Sequence, residues 1–392
     1  MSGLLGCGRA PVYTPDGSTR CDGRGAVRLL IQFTRSGADD SLLTTFSRAG
    51  AHLTATERIA LGEVLRVTAD RPGLTLLPLE NKVPFERIRK LVPLGDVCVC
   101  DFYLDGIERH PGLSAWADSL RVEDGRGVIL NVDHHSDLPR MRAPISSGNL
   151  AITFVREHGP ISPLMPLIIN HTDADSVISA LIMRGILPPR EEFGEAVIAA
   201  DHTGAANDIA DLLQAIEQER SLALSMRNLG LLLSGQPLEP RVQELLDERR
   251  ANRERARRVA GTFESAGSVR FLLVDEHLAG ELVPPFLPEA AVIMIGRVIE
   301  HGNLEIKIRR GLAAVEGITL KELAIEQILP EFGGRWNAGS TRRGGGSPVP
   351  AGISPGSFLR ARAELIAAAY DEACRGAKAR HPVDGGRGAH GG

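Results

Sequence analysis

The sequence predicts an α/β protein: a mostly parallel sheet with flanking helices, joined by a helical linker to a smaller α/β C-terminal domain. Three observations predict it. Between residue 85 and about residue 230, short apolar runs alternate with stretches of helical apolar spacing. Residues 241–260 are densely charged, with opposite charges as neighbours and no glycine or proline. Beyond Gly267 a second set of strand-like runs begins. The expected boundaries are 26–235 for the first domain, 236–264 for the connecting helix and 265–375 for the second domain. Residues 1–25 and 376–392, rich in Gly, Pro, Ser and Arg, read as disordered termini.

In chain order, Val27–Phe33 reads as a first strand, and a loop from Thr34 to Ser41 leads into a helical pattern. The runs Asp96–Asp101, Gly127–Asp133, Leu164–Asn170 and Ala196–Asp201 read as buried strands of the first sheet. Ile209–Leu233 has helical spacing, and Pro240–Ala260 reads as a solvated connecting helix. In the second domain, Val269–Val274 and Ala291–Ile295 read as strands, and Leu304–Arg309 as a half-exposed one. Thr319–Leu329 and Ser357–Arg375 read as helices, flanking a Gly-rich stretch from Phe332 to Gly346.

Composition narrows the function. Hydrophobic residues make up 43% of the 392, enough for a sizeable core in each of two domains. A net charge of −4 does not suit a broadly basic surface for long nucleic acid, and 4% aromatic residues leave few platforms for stacking single strands. No apolar run reaches membrane-spanning length, so no membrane partner is expected. The five cysteines are an odd number without metal-ligand spacing, which fits a reducing cytoplasm.

The chemistry-bearing residues gather where apolar runs end. Cys100 is followed by Asp101, Val132 by Asp133-His134-His135, and Asn170 by His171-Thr172-Asp173-Ala174-Asp175-Ser176; further on comes Ala200-Asp201-His202-Thr203-Gly204. The carboxyl ends of strands are where open α/β sheets bind ligands. Carboxylates combined with imidazoles suit manganese, iron or a similar transition metal better than calcium. Such an ion lowers the pKa of bound water toward about 7, and two ions about 3.5–4 Å apart clamp the attacking and leaving oxygens. Taken singly, Asp175 also reads as a helix N-cap, His171 as a polar neighbour of the site and His202 as a structural residue.

These residues resemble the DHH phosphoesterase superfamily, named for its Asp-His-His triplet. The resemblance rests on Asp133-His134-His135, on Asp101 as the lone strand-end Asp before the triplet, and on Ala200-Asp201-His202-Thr203-Gly204 as the later Asp-Thr-Gly motif. Asp173-x-Asp175-Ser176 looks like the first motif of the family, yet it follows the triplet, whereas the family places it ahead of the lone Asp. The place the family would give that motif is taken here by Asp39-Asp40-Ser41, without the alternation. The pair Asp173/Asp175 is the expected metal-holding pair, with Asp39/Asp40 as the alternative. Phe332-Gly333-Gly334-Arg335-Trp336-Asn337-Ala338-Gly339 resembles the Gly-Gly-His loop of the DHH-associated C-terminal domain, with Arg335 in the His position. The resemblance spans roughly residues 85–375.

The resemblance implies roles. Asp101 bridges two ions. Asp173 holds one, while Asp175, His134 and Asp201 hold the other, and His171 stands beside them as a further ligand candidate. His135 contacts the scissile phosphate and protonates the leaving oxygen; Asp133 orients a neighbouring group. Arg335, Asn337, Arg342 and Arg343 bind substrate. The expected cofactor is manganese as two divalent ions, with magnesium, cobalt or iron as substitutes. The expected activity is hydrolysis of a phosphate ester of a nucleotide, a short oligonucleotide or a small phosphorylated metabolite, in a pocket at the domain junction. The rival readings are a 5′-to-3′ single-strand exonuclease and a non-catalytic metal- or nucleotide-binding sensor. A homodimer is left open.

Overall fold

The computed structural model describes residues 52–80, 83–116, 119–135 and 143–380. The expected strand Val27–Phe33, the pair Asp39/Asp40, the segment 1–25 and residues 381–392 of the expected tail lie outside the described residues, whereas 376–380, expected as part of that tail, continue the last helix. The described residues form two compact units. The first comprises residues 52–135, 145–197 and 207–246; the second comprises 143–144, 198–206 and 247–380.

The first unit opens with α1 (Ala55–Thr68), where Thr54 and Glu57 cap each other's backbone in a reciprocal box. Next come β1 (Leu74–Leu76), β2 (Val83–Pro84), α2 (Phe85–Leu91), β3 (Val97–Cys100) and β4 (Leu104–Asp105), which pairs with β2. β5 (Leu113–Trp116) and β6 (Ser119–Glu123) make an antiparallel hairpin. β7 (Val128–Val132), α3 (Ser147–His158), β8 (Leu167–Ile169), α4 (Ala174–Met183), α5 (Glu191–Ile198), α6 (Asp208–Ile216) and α7 (Leu222–Leu233) follow.

The sheet runs β1-β8-β3-β7-β6-β5. Its first four strands are parallel, and β6 and β5 extend it antiparallel. Every residue of β3, β8 and α4 is buried. A strand covered on both faces has no polar side to alternate with, which is why β3 and β8 read as unbroken apolar runs.

Two expected elements come out differently. Ala196–Asp201 is not a strand: α5 runs through Ile198 and continues as a wider π turn over Ala199–Thr203, stopped by Gly204 at φ 67°. The buried positions Glu192, Phe193, Ala196 and Val197 follow a helical period, and a six-residue apolar window cannot tell a buried helix end from a strand. Thr319–Leu329 is not one helix either; only α9 (Ile325–Ile328) is helical. Thr319 spends its hydroxyl locally, accepting from the Lys321 N–H and bonding Glu322, and Ala324 adopts a left-handed φ of 48°.

The helix α8 (Pro240–Ala260) buries Val242 among first-unit residues at its start and Ala256 among second-unit residues near its end. The second unit holds β9 (Glu264–Ala266), β10 (Val269–Val274), β11 (Val292–Val298), β12 (Leu304–Arg310), β13 (Gly333–Gly334) and β14 (Ala338–Ser340), in the order β13-β14-β12-β11-β10-β9. Only β10 and β11 pair in parallel. α10 (Pro355–Arg380) covers one face, packing Phe358, Leu359 and Ile366 against Phe271, Met294 and Ile306. Gly296 permits that approach: a Cβ there would meet Leu359 Cδ2 at 2.9 Å. No helix among the described residues is long and apolar enough to cross a membrane.

Candidate metal centre

Three neighbouring parallel strands, β8, β3 and β7, end beside one another, with Cys98 level with Leu167 and Cys100 level with Val132. Their carboxyl ends carry His171, Asp101 and the Asp133-His134-His135 triplet in sequence order after each strand. The Asp173-x-Asp175 segment thus follows the strand that lies directly beside the one ending at Asp101.

Asp101 is the hub. It is 1% exposed and takes a left-handed φ of 59°, a conformation Asp tolerates better than most residues. Ser147 Oγ donates to its Oδ1 and Ser176 Oγ to its Oδ2, both at 2.8 Å. His171 Nε2 lies 3.1 Å from Oδ2, while His135 Nδ1 and His134 Nε2 lie 3.7 and 3.8 Å from Oδ1. Burial by itself would raise the Asp101 carboxyl, but the hydrogen bond and charge of His171, with the charges of His135 and His134, hold it well below the usual carboxylate range. Burial likewise works against the His171 imidazolium, yet Asp173 and Asp101 push its pKa up to about 12. That pull on the imidazole is a property of the ion-free centre; a bound cation would take the proton's place at Nε2.

The other side chains are aimed by their outer contacts. His134 Nδ1 is 2.8 Å from the Ile145 carbonyl, which only accepts, so this nitrogen carries the proton and Nε2 faces inward, 3.5 Å from Asp175 Oδ2. His171 Nδ1 contacts Asn170 Oδ1, leaving Nε2 3.3 Å from Asp173 Oδ2. His135 Nδ1 is 2.6 Å from Asp133 Oδ1; Asp133 is fully buried, and its Oδ2 has no hydrogen-bond partner among the described residues. Asp173 is the N-cap of α4, accepting from the Ser176 N–H. Asp175 is fully buried and accepts the Ser147 and Gly148 N–H groups at 2.8 and 2.7 Å, where it meets the positive end of α3.

The donors fit divalent ions. Metal–ligand bonds of about 2.0–2.2 Å at angles between octahedral and tetrahedral put ligand atoms roughly 3–3.6 Å apart. The separations of 3.1, 3.3 and 3.5 Å above fall in that range, and those of 3.7 and 3.8 Å lie just beyond it. Two groups share Asp101: one adds His171 and Asp173, the other His134 and His135.

Asp201 belongs to the second unit. There Arg309 Nη1 donates to its carbonyl at 3.3 Å. The same unit holds a pocket of about 130 Å³ lined by His202, Thr203, Arg309, Arg310, Trp336 and Asn337, among others. Asn337 is 6% exposed; its Nδ2 contacts His202 Nδ1 at 3.1 Å, and its Oδ1 has no hydrogen-bond partner among the described residues. Burial lowers the Arg309 pKa, Glu281 and Asp201 oppose that, and the charge of Arg335 adds to it. Arg335 sits at the tip of the β13–β14 hairpin, its N–H donating to Ala338 O at 2.8 Å. Arg342 instead turns to the buried Glu305, at 3.3 Å, and Arg343 is exposed.

Sequence reasoning did not single out Ser147, Arg309 or Trp336 as site residues. Ser147 opens α3 twelve residues past the triplet, after a polar stretch of sequence with no periodic signal. Arg309 was legible only as one position of a half-exposed strand.

The fold and site define an α/β protein with an Asp/His cluster whose donor spacing fits cations. No family model matches the chain, and no curated protein matches it. Among solved structures, it is similar to PggH, a pGpG-specific phosphodiesterase from Vibrio cholerae (11% identity, 80% of this chain and 96% of that one, TM-score 0.41). It is also similar to the exonuclease RecJ bound to manganese (16%, 57% and 55%, TM-score 0.29) and to RecJ from Thermus thermophilus in complex with Mg2+ (16%, 57% and 34%, TM-score 0.30). Scores of this size do not establish a shared fold.

The double role of Asp175 gives a stability prediction. Asp175→Asn should lower the unfolding free energy of the ion-free protein by about 2–4 kcal/mol, because a buried charged acceptor of two backbone donors is lost and an amide N–H must face one of them. Urea denaturation in the presence of chelator checks it; unchanged stability would reduce Asp175 to a cation ligand alone.

Proposed function

We propose that the chain is a DHH-type, metal-dependent phosphoesterase hydrolysing a phosphate ester of a nucleotide, a short oligonucleotide or a small phosphorylated metabolite. The observation that carries the proposal is Asp101, a buried carboxylate offering one oxygen to His171 and the other to His134 and His135. Two divalent ions, when bound, would supply Lewis-acid stabilisation of the phosphoryl group and a lowered pKa for water. Asp101 Oδ2, His171 and Asp173 would hold one ion; Asp101 Oδ1, His134 and Asp175 the other. The imidazole donors favour manganese, with cobalt, iron or magnesium as substitutes.

His135 has the geometry of a proton donor. Its Nδ1 is held by Asp133, which fixes the ring, and at 22% side-chain exposure it is more open than His134. Asp133 thus positions the acid. In the second unit, Arg309 and Arg335 supply cationic charge for a substrate anion, and Trp336 with Asn337 supplies an aromatic and an amide surface.

Activity against a generic phosphomonoester and a phosphodiester, with and without manganese, tests the reading. Manganese-dependent turnover of either supports it, and the preferred one separates monoesterase from diesterase. Ligand binding without turnover would make the protein a sensor. Arg309→Ala and Arg335→Ala should each raise KM about ten- to a hundred-fold, the equivalent of roughly 1.5–3 kcal/mol for a charge-assisted contact, with a smaller change in kcat. Arg342→Ala should change KM less, since one arm of its guanidinium already faces Glu305, at 3.3 Å. Steady-state kinetics at saturating manganese decides between them.

A further inference from the structure

We infer that Ser147 and Ser176 are positioning residues that divide the Asp101 carboxylate between two cations, each serine governing a different ion. The inference rests on the two-ion reading above. Ser147 is the first residue of α3 and Ser176 the third of α4; both are fully buried, and their hydroxyls reach the carboxylate from different helices. Each donates to a different oxygen, Ser147 to Oδ1 and Ser176 to Oδ2, at the same 2.8 Å.

A carboxylate oxygen has two lone-pair directions. With one direction on each oxygen taken by a hydroxyl, the remaining one is assigned. On Oδ1 it serves the side where His134 and His135 stand; on Oδ2 it serves His171. The carboxylate can neither rotate nor present both lone pairs of one oxygen to a single ion, so it is held in the bridging orientation. The backbone bond from Ser147 N to Asp175 Oδ2, together with the Asp173 cap on Ser176 N, fixes each serine in turn. Asp175 and Asp173 belong to the proposed ligand sets of the same respective ions. Each half of the site therefore carries its own serine and its own helix-end carboxylate.

The consequence is asymmetric. Ser147→Ala should weaken the ion on the His134 side, and Ser176→Ala the ion on the His171 side, each by about ten- to a hundred-fold, the usual cost of losing an outer contact that orients a ligand. The other ion should keep its affinity in each case. Calorimetric titration of the full chain with manganese resolves the two steps, and His134→Ala and His171→Ala reference titrations identify which step belongs to which ion. A general structural role for buried serines would shift both steps together, so parallel losses overturn the inference, as does unchanged binding in both variants. If one alanine variant fails to fold, the other still reads its own step. Binding of fewer than two ions by the unsubstituted protein would instead sink the two-ion reading, which separates the two failures.

Discussion

Asp101→Asn should eliminate manganese-dependent turnover, by on the order of 10³-fold or more, and should reduce the bound ions from two to one or none. Removing a single group that stabilises transition-state charge already costs about 10²–10³ in rate, and Asp101 is proposed to serve both ions at once. Asparagine is the informative replacement because it keeps the shape and tolerates the left-handed backbone that Asp101 adopts at φ 59°, where alanine adds strain. The variant should fold normally, since the amide can still accept from one of the two serines. Metal content after dialysis, measured beside circular dichroism, checks both parts. Full activity with two bound ions would remove Asp101 from the centre.

The second large effect concerns which acidic pair holds metal. His171→Ala and Asp173→Asn should each lose most activity, about 10²-fold or more, because each removes a donor facing Asp101 or its partner from a single ion site. Asp39→Asn and Asp40→Asn should leave activity nearly unchanged, since the ligand sets proposed above are complete without them. The basis is placement: β8 lies directly beside β3, so the residues after Ile169 reach Asp101. Kinetics on the four variants decides it, and the reverse pattern would hand the metal to Asp39 and Asp40.

The part of the site that was legible in the sequence has a common physical cause. Strands buried on both faces leave apolar runs such as Val97–Cys100, and the first polar residue after such a run marks the sheet edge. Asp101, Asp133-His134-His135 and the His171–Asp175 segment were all singled out as candidates that way. The same rule failed at Ala196–Asp201, because an apolar run ending a buried helix looks identical over six residues. The Gly-Gly-Arg hairpin was legible from its glycines, but the commitment of Arg342 to Glu305 was not, since an ion pair 37 residues apart leaves no local trace.

By itself, the sequence determined the α/β class, the two sets of strands, the charged helix between them and the supply of Asp and His at strand ends, since periodicity and composition are local properties. Only the tertiary structure decided strand order. That order puts the segment from His171 to Asp175 beside Asp101, and brings Ser147 and Ser176 from two helices onto one carboxylate. Pairing between β8 and β3 joins residues some seventy positions apart, and lateral order in a sheet is set by long-range packing that no window along the chain contains.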